Sequence, residues 1–146
     1  MRMEQRLSIV TLVVKEIGKS LLFYQEMGLK PAFTDHETVV FFQMGGFAFA
    51  LFRDTEFERE TGVQSGSANI PRSALAYNVR EKHEVDQILS QAEIAGGKRI
   101  KSGVDREWGG YSGYFSDPDG HIWEVAWNPS FAMGENGEIT LPGPPA

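Results

Sequence analysis

No cysteine occurs among the 146 residues, which excludes a disulfide framework and any thiolate metal site. A reducing compartment suits such a chain, and the cytoplasm is the location expected from it. Basic residues are in the minority: 14 Lys and Arg against 20 Asp and Glu leave a net charge of −6. Non-specific nucleic-acid binding needs a basic face, so no nucleic-acid partner is expected. A mildly acidic chain suits a neutral or cationic small ligand. Long hydrophobic runs are missing too. The charged start, Met1 to Arg6, gives way to an apolar run that ends at Lys15. That run is too short for a membrane span and lacks a small-residue cleavage site, so no membrane partner is expected. Glycine-rich phosphate loops and nucleophile elbows are absent as well.

What is present is turn chemistry beside aromatic strands. Asp117-Pro118-Asp119-Gly120 sets a tight turn: Pro118 fixes φ, Asp119 tolerates the bend and Gly120 takes a positive φ. The flanking runs Tyr111 to Phe115 and His121 to Trp127 predict a β-hairpin. Alternation then puts Trp123, Val125 and Trp127 on one face, as core against helices, and Ile122, Glu124 and Ala126 on the other. A carboxylate between two apolar neighbours is costly to bury unpaired, which singles out Glu124.

The chain also repeats itself. A strand at Leu7 to Val14 precedes a helix whose apolar face carries Ile17, Leu21 and Tyr24 and which Gly28 terminates. Short strands are expected near Lys30 to Asp35, Thr38 to Gln43 and Phe47 to Phe52. The same order recurs from Ser73 to Val79, through a helix with Val85, Ile88, Leu89 and Ala92, to Gly96 and the Tyr111 to Trp127 hairpin. Ile17 and Val85, Leu21 and Leu89, and Gly28 and Gly96 all share one offset. These features predict one α+β domain over 6–128, made of two βαβββ units, 6–53 and 73–128. The polar stretch 54–72 reads as a linker, its acidic run Asp54 to Glu60 as a solvated loop, and 129–146 as a loosely packed tail.

With both units in view, the chain resembles the vicinal oxygen chelate superfamily of glyoxalases, bleomycin-resistance proteins and extradiol dioxygenases. The resemblance rests on the segment Val14 to Tyr24, similar to the superfamily's strand-to-helix transition, although an aspartate usually stands at Glu16. It rests further on Asp117-Pro118-Asp119-Gly120 followed by Glu124. Trp108-Gly109-Gly110-Tyr111 resembles a glyoxalase-like subgroup. The resemblance implies a curved mixed sheet with helices on its convex side, a small-molecule ligand on the concave face, and a homodimer.

In metal-dependent members each unit supplies ligands from its first and last strands. Those positions here read Ile9, Ala50, Ala74 and Glu124, and only the glutamate can bind an ion. A divalent catalytic site takes about three protein N or O ligands. Of the three histidines, His36 falls in a predicted turn, His83 near a helix start, and His121 on the wrong parity to join Glu124. Neither a metal nor another cofactor is therefore expected, and metal-dependent glyoxalase I or dioxygenase chemistry is disfavoured.

The expected ligand-binding residues are Ile9, Thr11, Ala50 and Phe52 from the first unit. From the second come Ala74, Asn78 and Glu124, with Trp108, Tyr111 and Tyr114 near the hairpin. Alanines at positions 48, 50, 74, 76 and 126 would leave room for a ligand or allow close packing of another layer. Three roles stay open for Glu124: a structural partner of Asn78, Thr11 or water, a ligand-binding carboxylate, or a general base acting without a metal. A degenerate module that binds a protein partner is the remaining reading.

Overall fold

The structure is a computed structural model and describes residues 2–35, 37–62 and 73–142. It is α+β, and it divides into two compact units, Met1–Pro71 and Arg72–Ala146. Among the described residues no helix is long and apolar enough to cross a membrane.

The first unit runs β1 (Ile9–Val14), α1 (Ile17–Glu26), β2 (Phe33–Thr34), β3 (Val39–Met44), β4 (Phe47–Arg53) and α2 (Asp54–Thr61). Its sheet has the order β1-β4-β3-β2, with β1 parallel to β4 and the other pairs antiparallel. A parallel pair cannot be joined by a tight turn, and the crossover it needs begins with α1. Alternation sorts the sheet's two faces. Leu12, Val14, Val40, Phe42, Phe49 and Leu51 are buried. Tyr24 of α1 sets its ring against Phe49 at 5.1 Å, edge to face, and against Phe42 at 6.2 Å. Each such fully buried large apolar side chain contributes about 1.5–3 kcal/mol relative to exposure.

The second unit repeats the pattern with β5 (Ala74–Asn78), α3 (Lys82–Ile94), β6 (Lys98–Asp105), β7 (Tyr111–Ser116) and β8 (Ile122–Trp127). Its sheet order, β5-β8-β7-β6 with β5 parallel to β8, reproduces that of the first. The repeat extends to the helix faces: Val85 and Leu89 are buried like Ile17 and Leu21. Gly28 and Gly96 leave their helices at φ 105° and 106°. At the start of α3, the Glu84 carboxylate accepts the Glu81 N–H at 2.7 Å, half of a capping box.

One expectation from sequence is corrected. The acidic run is a helix, α2, not a solvated loop within a linker. Asp54 and Glu56 lie in its first turn and Arg59 in its last, which complements the helix dipole, and Gly62 ends it at φ 75°. Only Phe57 gives the segment an apolar periodicity, so the pattern was too faint to see. The rest of the proposed linker, 63–72, lies outside the described residues, as does His36. In the tail, β9 (Ala132–Met133) and β10 (Ile139–Thr140) pair as a small hairpin. Arg80 fastens its turn by donating to the carbonyls of Gly134 and Glu135 at 2.8 and 2.9 Å. Two-residue strands leave no run for alternation to mark.

Candidate functional site

In the second unit the predicted hairpin forms around an aspartate. Asp117 is buried, and its Oδ1 accepts the N–H groups of Asp119 and His121, both at 2.9 Å. Gly120 closes the turn at φ 88°. That turn fixes the register in which Tyr114 faces Glu124, Ser112 faces Ala126 and Phe115 faces Trp123. On the far side of β8, Ala76 faces Glu124 and Asn78 faces Ala126. One face of this sheet therefore carries Ala74, Ala76, Asn78, Ser112, Tyr114, Glu124 and Ala126.

The opposite face meets α3. A Cβ on Gly113 would stand 2.6 Å from Leu89 Cδ1, so β7 and α3 approach closely there. Phe115 and Val125 are buried, and the Phe115 and Trp123 rings stack at 6.1 Å. Tyr111 belongs to this face. Its hydroxyl donates to Asp86 of α3 at 2.9 Å, and the Lys82 ammonium lies 5.1 Å from its ring centre. Tyr111 thus ties α3 to the sheet, and its odd parity puts it on the same face as Val125.

Glu124 is half-buried and accepts a hydrogen bond from the Tyr114 hydroxyl at 3.3 Å. Among the described residues of this unit, Tyr114 and not Asn78 is its hydrogen-bond partner. Burial, the Glu124 charge and that hydrogen bond push the Tyr114 phenol upward, with Arg106 opposing them. At neutral pH Tyr114 is thus a neutral donor toward a carboxylate.

Arg106 and Ser112 complete the cluster, and sequence reading passed over both. The turn after β6 is closed by Arg106 N–H to Gly110 C=O at 2.8 Å and Gly109 N–H to Arg106 C=O at 3.0 Å. It folds Arg106 back over β7. Nε donates to the fully buried Ser112 Oγ at 2.8 Å, and an Nη donates to the Ser112 carbonyl at 3.2 Å. The guanidinium carbon lies 5.8 Å from the Tyr114 ring centre. Trp108 sits in the same turn, packed so tightly against Gly110 that a Cβ there would overlap its indole.

In the first unit, Ile9, Thr11, Ala50 and Phe52 share the sheet face that α1 does not cover. Thr11 faces Ala50, and Ile9 faces Ala48. Ala50 is buried, whereas Ile9 and Thr11 are exposed. An open depression of about 660 Å³ runs along Arg2 to Ile9. Every residue lining it is exposed, so it is a surface trough of the N-terminal segment, and of the predicted residues it includes Ile9 alone.

The donor set does not fit a superfamily-type metal. Ile9, Ala50 and Ala74 carry no side-chain ligand atom. Among the described residues, no three His, Asp or Glu side chains come together to hold an ion. His83 is exposed on α3, and His121 is engaged in the turn beside Asp117.

Known structures of the same architecture are numerous. A glyoxalase-related enzyme from Fulvimarina pelagi is 33% identical, with a TM-score of 0.88 over 96% of this chain and 100% of its own. A hypothetical protein from S. aureus is 25% identical at a TM-score of 0.73, over 86% of this chain and 95% of its own. Lactoylglutathione lyase from Agrobacterium tumefaciens shares the fold, at 22% identity and a TM-score of 0.64, over 86% and 96% of the two chains. No curated protein matches the chain. The sequence profile of one family matches residues 6–125, which span both βαβββ units. The chain therefore belongs to the Glyoxalase/Bleomycin resistance protein/Dioxygenase superfamily.

Proposed function

We propose that this protein binds a small, partly apolar molecule on the sheet face around Glu124, without a metal centre. The observation that carries the reading is the Tyr114–Glu124 hydrogen bond on a face otherwise walled by small residues. With one oxygen taken by the Tyr114 hydroxyl, the half-buried Glu124 carboxyl keeps its second oxygen for a ligand, and Ala76 beside it leaves room. Asn78 and Trp108 are the further contacts proposed in this unit. Ile9, Thr11, Ala50 and Phe52 are proposed as ligand-lining residues on the corresponding face of the first. Pairing as a homodimer is part of the same reading and is checked by sedimentation equilibrium.

A second reading makes Glu124 the general base of a metal-independent lyase or isomerase. The observation favouring it is that Oε1 has no hydrogen-bond partner among the described residues, so it is available to accept a proton.

The test combines elemental analysis of the purified protein with ligand binding by wild type and Glu124→Gln. Fragment binding that weakens in Glu124→Gln, in protein free of stoichiometric metal, supports the proposal. Stoichiometric zinc, nickel, manganese or iron that is lost in Glu124→Ala overturns it. Turnover abolished in Glu124→Gln with binding largely kept selects the enzymatic reading over simple sequestration.

A further inference from the structure

Arg106 and Glu124 carry opposite charges, meet the same tyrosine, and do not pair with each other. Arg106 lies over the Tyr114 ring, and Glu124 takes the hydroxyl at that ring's end. Neither residue forms an ion pair with any described residue. A guanidinium has five N–H donors, and only two of those on Arg106 find acceptors, both on Ser112. The remaining three face no protein acceptor among the described residues, just as Glu124 Oε1 faces no donor.

Covering the Ser112 hydroxyl does not by itself account for an arginine. A neutral donor would satisfy that oxygen without a half-buried charge, which is expensive to leave unpaired. Direct pairing with Glu124 would have relieved both charges. Instead each of them contacts Tyr114, one at the ring and one at the hydroxyl, leaving two recognition points of opposite sign beside the same side chain. Small alanines flank the glutamate's row of the sheet.

Resting on the reading of Glu124 as a ligand-binding carboxylate, we infer that this face takes a small dipolar molecule of the amino-acid class. Its anionic group is held by Arg106 and its cationic or donor-bearing group by Glu124. The carbon skeleton lies against Tyr114 and the alanines. Arginine suits the anionic end because its planar fork matches a carboxylate, whereas lysine would offer only a point charge.

The test titrates the full-length protein with ω-amino acids, from glycine to 6-aminohexanoate, and with alkylamines and alkylcarboxylates of matched length. Binding is followed by the chemical shifts of backbone amides in β7 and β8. At least one amino acid is expected to bind ten-fold or more tightly than both of its single-charge counterparts. Arg106→Gln should reduce that affinity to the level of the amine, and Glu124→Gln should reduce it to the level of the carboxylate. Arg106→Lys, which keeps the charge, should retain part of the gain and guards against mistaking misfolding for lost recognition.

Amine binding that depends on Glu124, with no gain from an added carboxylate, overturns the dipolar inference and leaves the Glu124 site standing. The same holds if Arg106→Gln folds normally and binds every probe as the wild type does. Failure of every probe to show Glu124-dependent binding overturns the inference together with the reading it rests on.

Discussion

Tyr114 and Glu124 stand directly opposite each other on β7 and β8, and the phenol donates to the carboxylate across 3.3 Å. The bond is long and half-exposed, so it positions the carboxylate more than it stabilises the fold. Tyr114→Phe keeps the ring under Arg106 and removes only the hydroxyl. Its expected cost is about 1 kcal/mol or less, read from urea unfolding. A loss above about 3 kcal/mol would mean that the hydroxyl supports more of the structure than Glu124 alone.

Alkaline titration should separate Tyr111 and Tyr114 from ordinary phenols. Hydrogen bonding to Asp86, then burial, raises Tyr111, while burial, then the Glu124 charge, raises Tyr114, each above the usual value of 10.0. A phenol raised in the folded state contributes stability that is fully present below the unfolded value. That contribution is lost as pH climbs through the folded one. Stability should therefore be insensitive to these two groups up to about pH 10 and decline above it. Tyrosinate absorbance should appear later in wild type than in urea-unfolded protein, and Tyr114→Phe should remove part of that delayed signal. Coincident titration in folded and unfolded protein would contradict the assignment.

The duplication was readable because it lives in strong local signals. Ile17 and Val85, or Gly28 and Gly96, declare helix faces and helix ends through apolar spacing and positive φ, which need no tertiary context. The Asp117 turn was readable for the same reason, and strand parity then placed Glu124. Arg106 was not readable. Nothing local distinguishes it from any other arginine before a turn, and its role depends on the chain folding back onto Ser112. The Tyr111 hydroxyl bond to Asp86 was not readable either, because it depends on α3 packing against β7. Helix α2 escaped notice because dipole complementarity and a terminal glycine, not an apolar stripe, mark its ends.

Close approach of β7 to α3 predicts a severe effect at Gly113. A Cβ there would stand 2.6 Å from Leu89 Cδ1 and 2.7 Å from the Lys101 carbonyl oxygen, so both a side chain and backbone must move. Gly113→Ala should cost about 1–3 kcal/mol. For a chain of this size that is a drop of roughly 2–10 °C in Tm by calorimetry. An unchanged Tm would show that α3 packs more loosely on the sheet than described.

Asp35 makes the last prediction, in the first unit. Its carboxylate accepts the Thr38 hydroxyl and the backbone N–H groups of Glu37, Thr38 and Val39 at 2.9, 2.7 and 3.0 Å, which shapes the turn from β2 to β3. These bonds, that of the Thr38 hydroxyl foremost, hold the carboxyl well below the usual carboxylate range. A depressed value means stability that is present above the unfolded value of 3.8 and is lost as pH falls through the folded one. Asp35→Ala should lower the urea midpoint at pH 7, and the gap from wild type should stay constant down to about pH 4 before narrowing in stronger acid. The fully exposed position keeps the effect small, so paired titrations of both proteins at each pH are needed. A gap that already closes between pH 7 and pH 5 would show that another titrating group, and not Asp35, governs this turn.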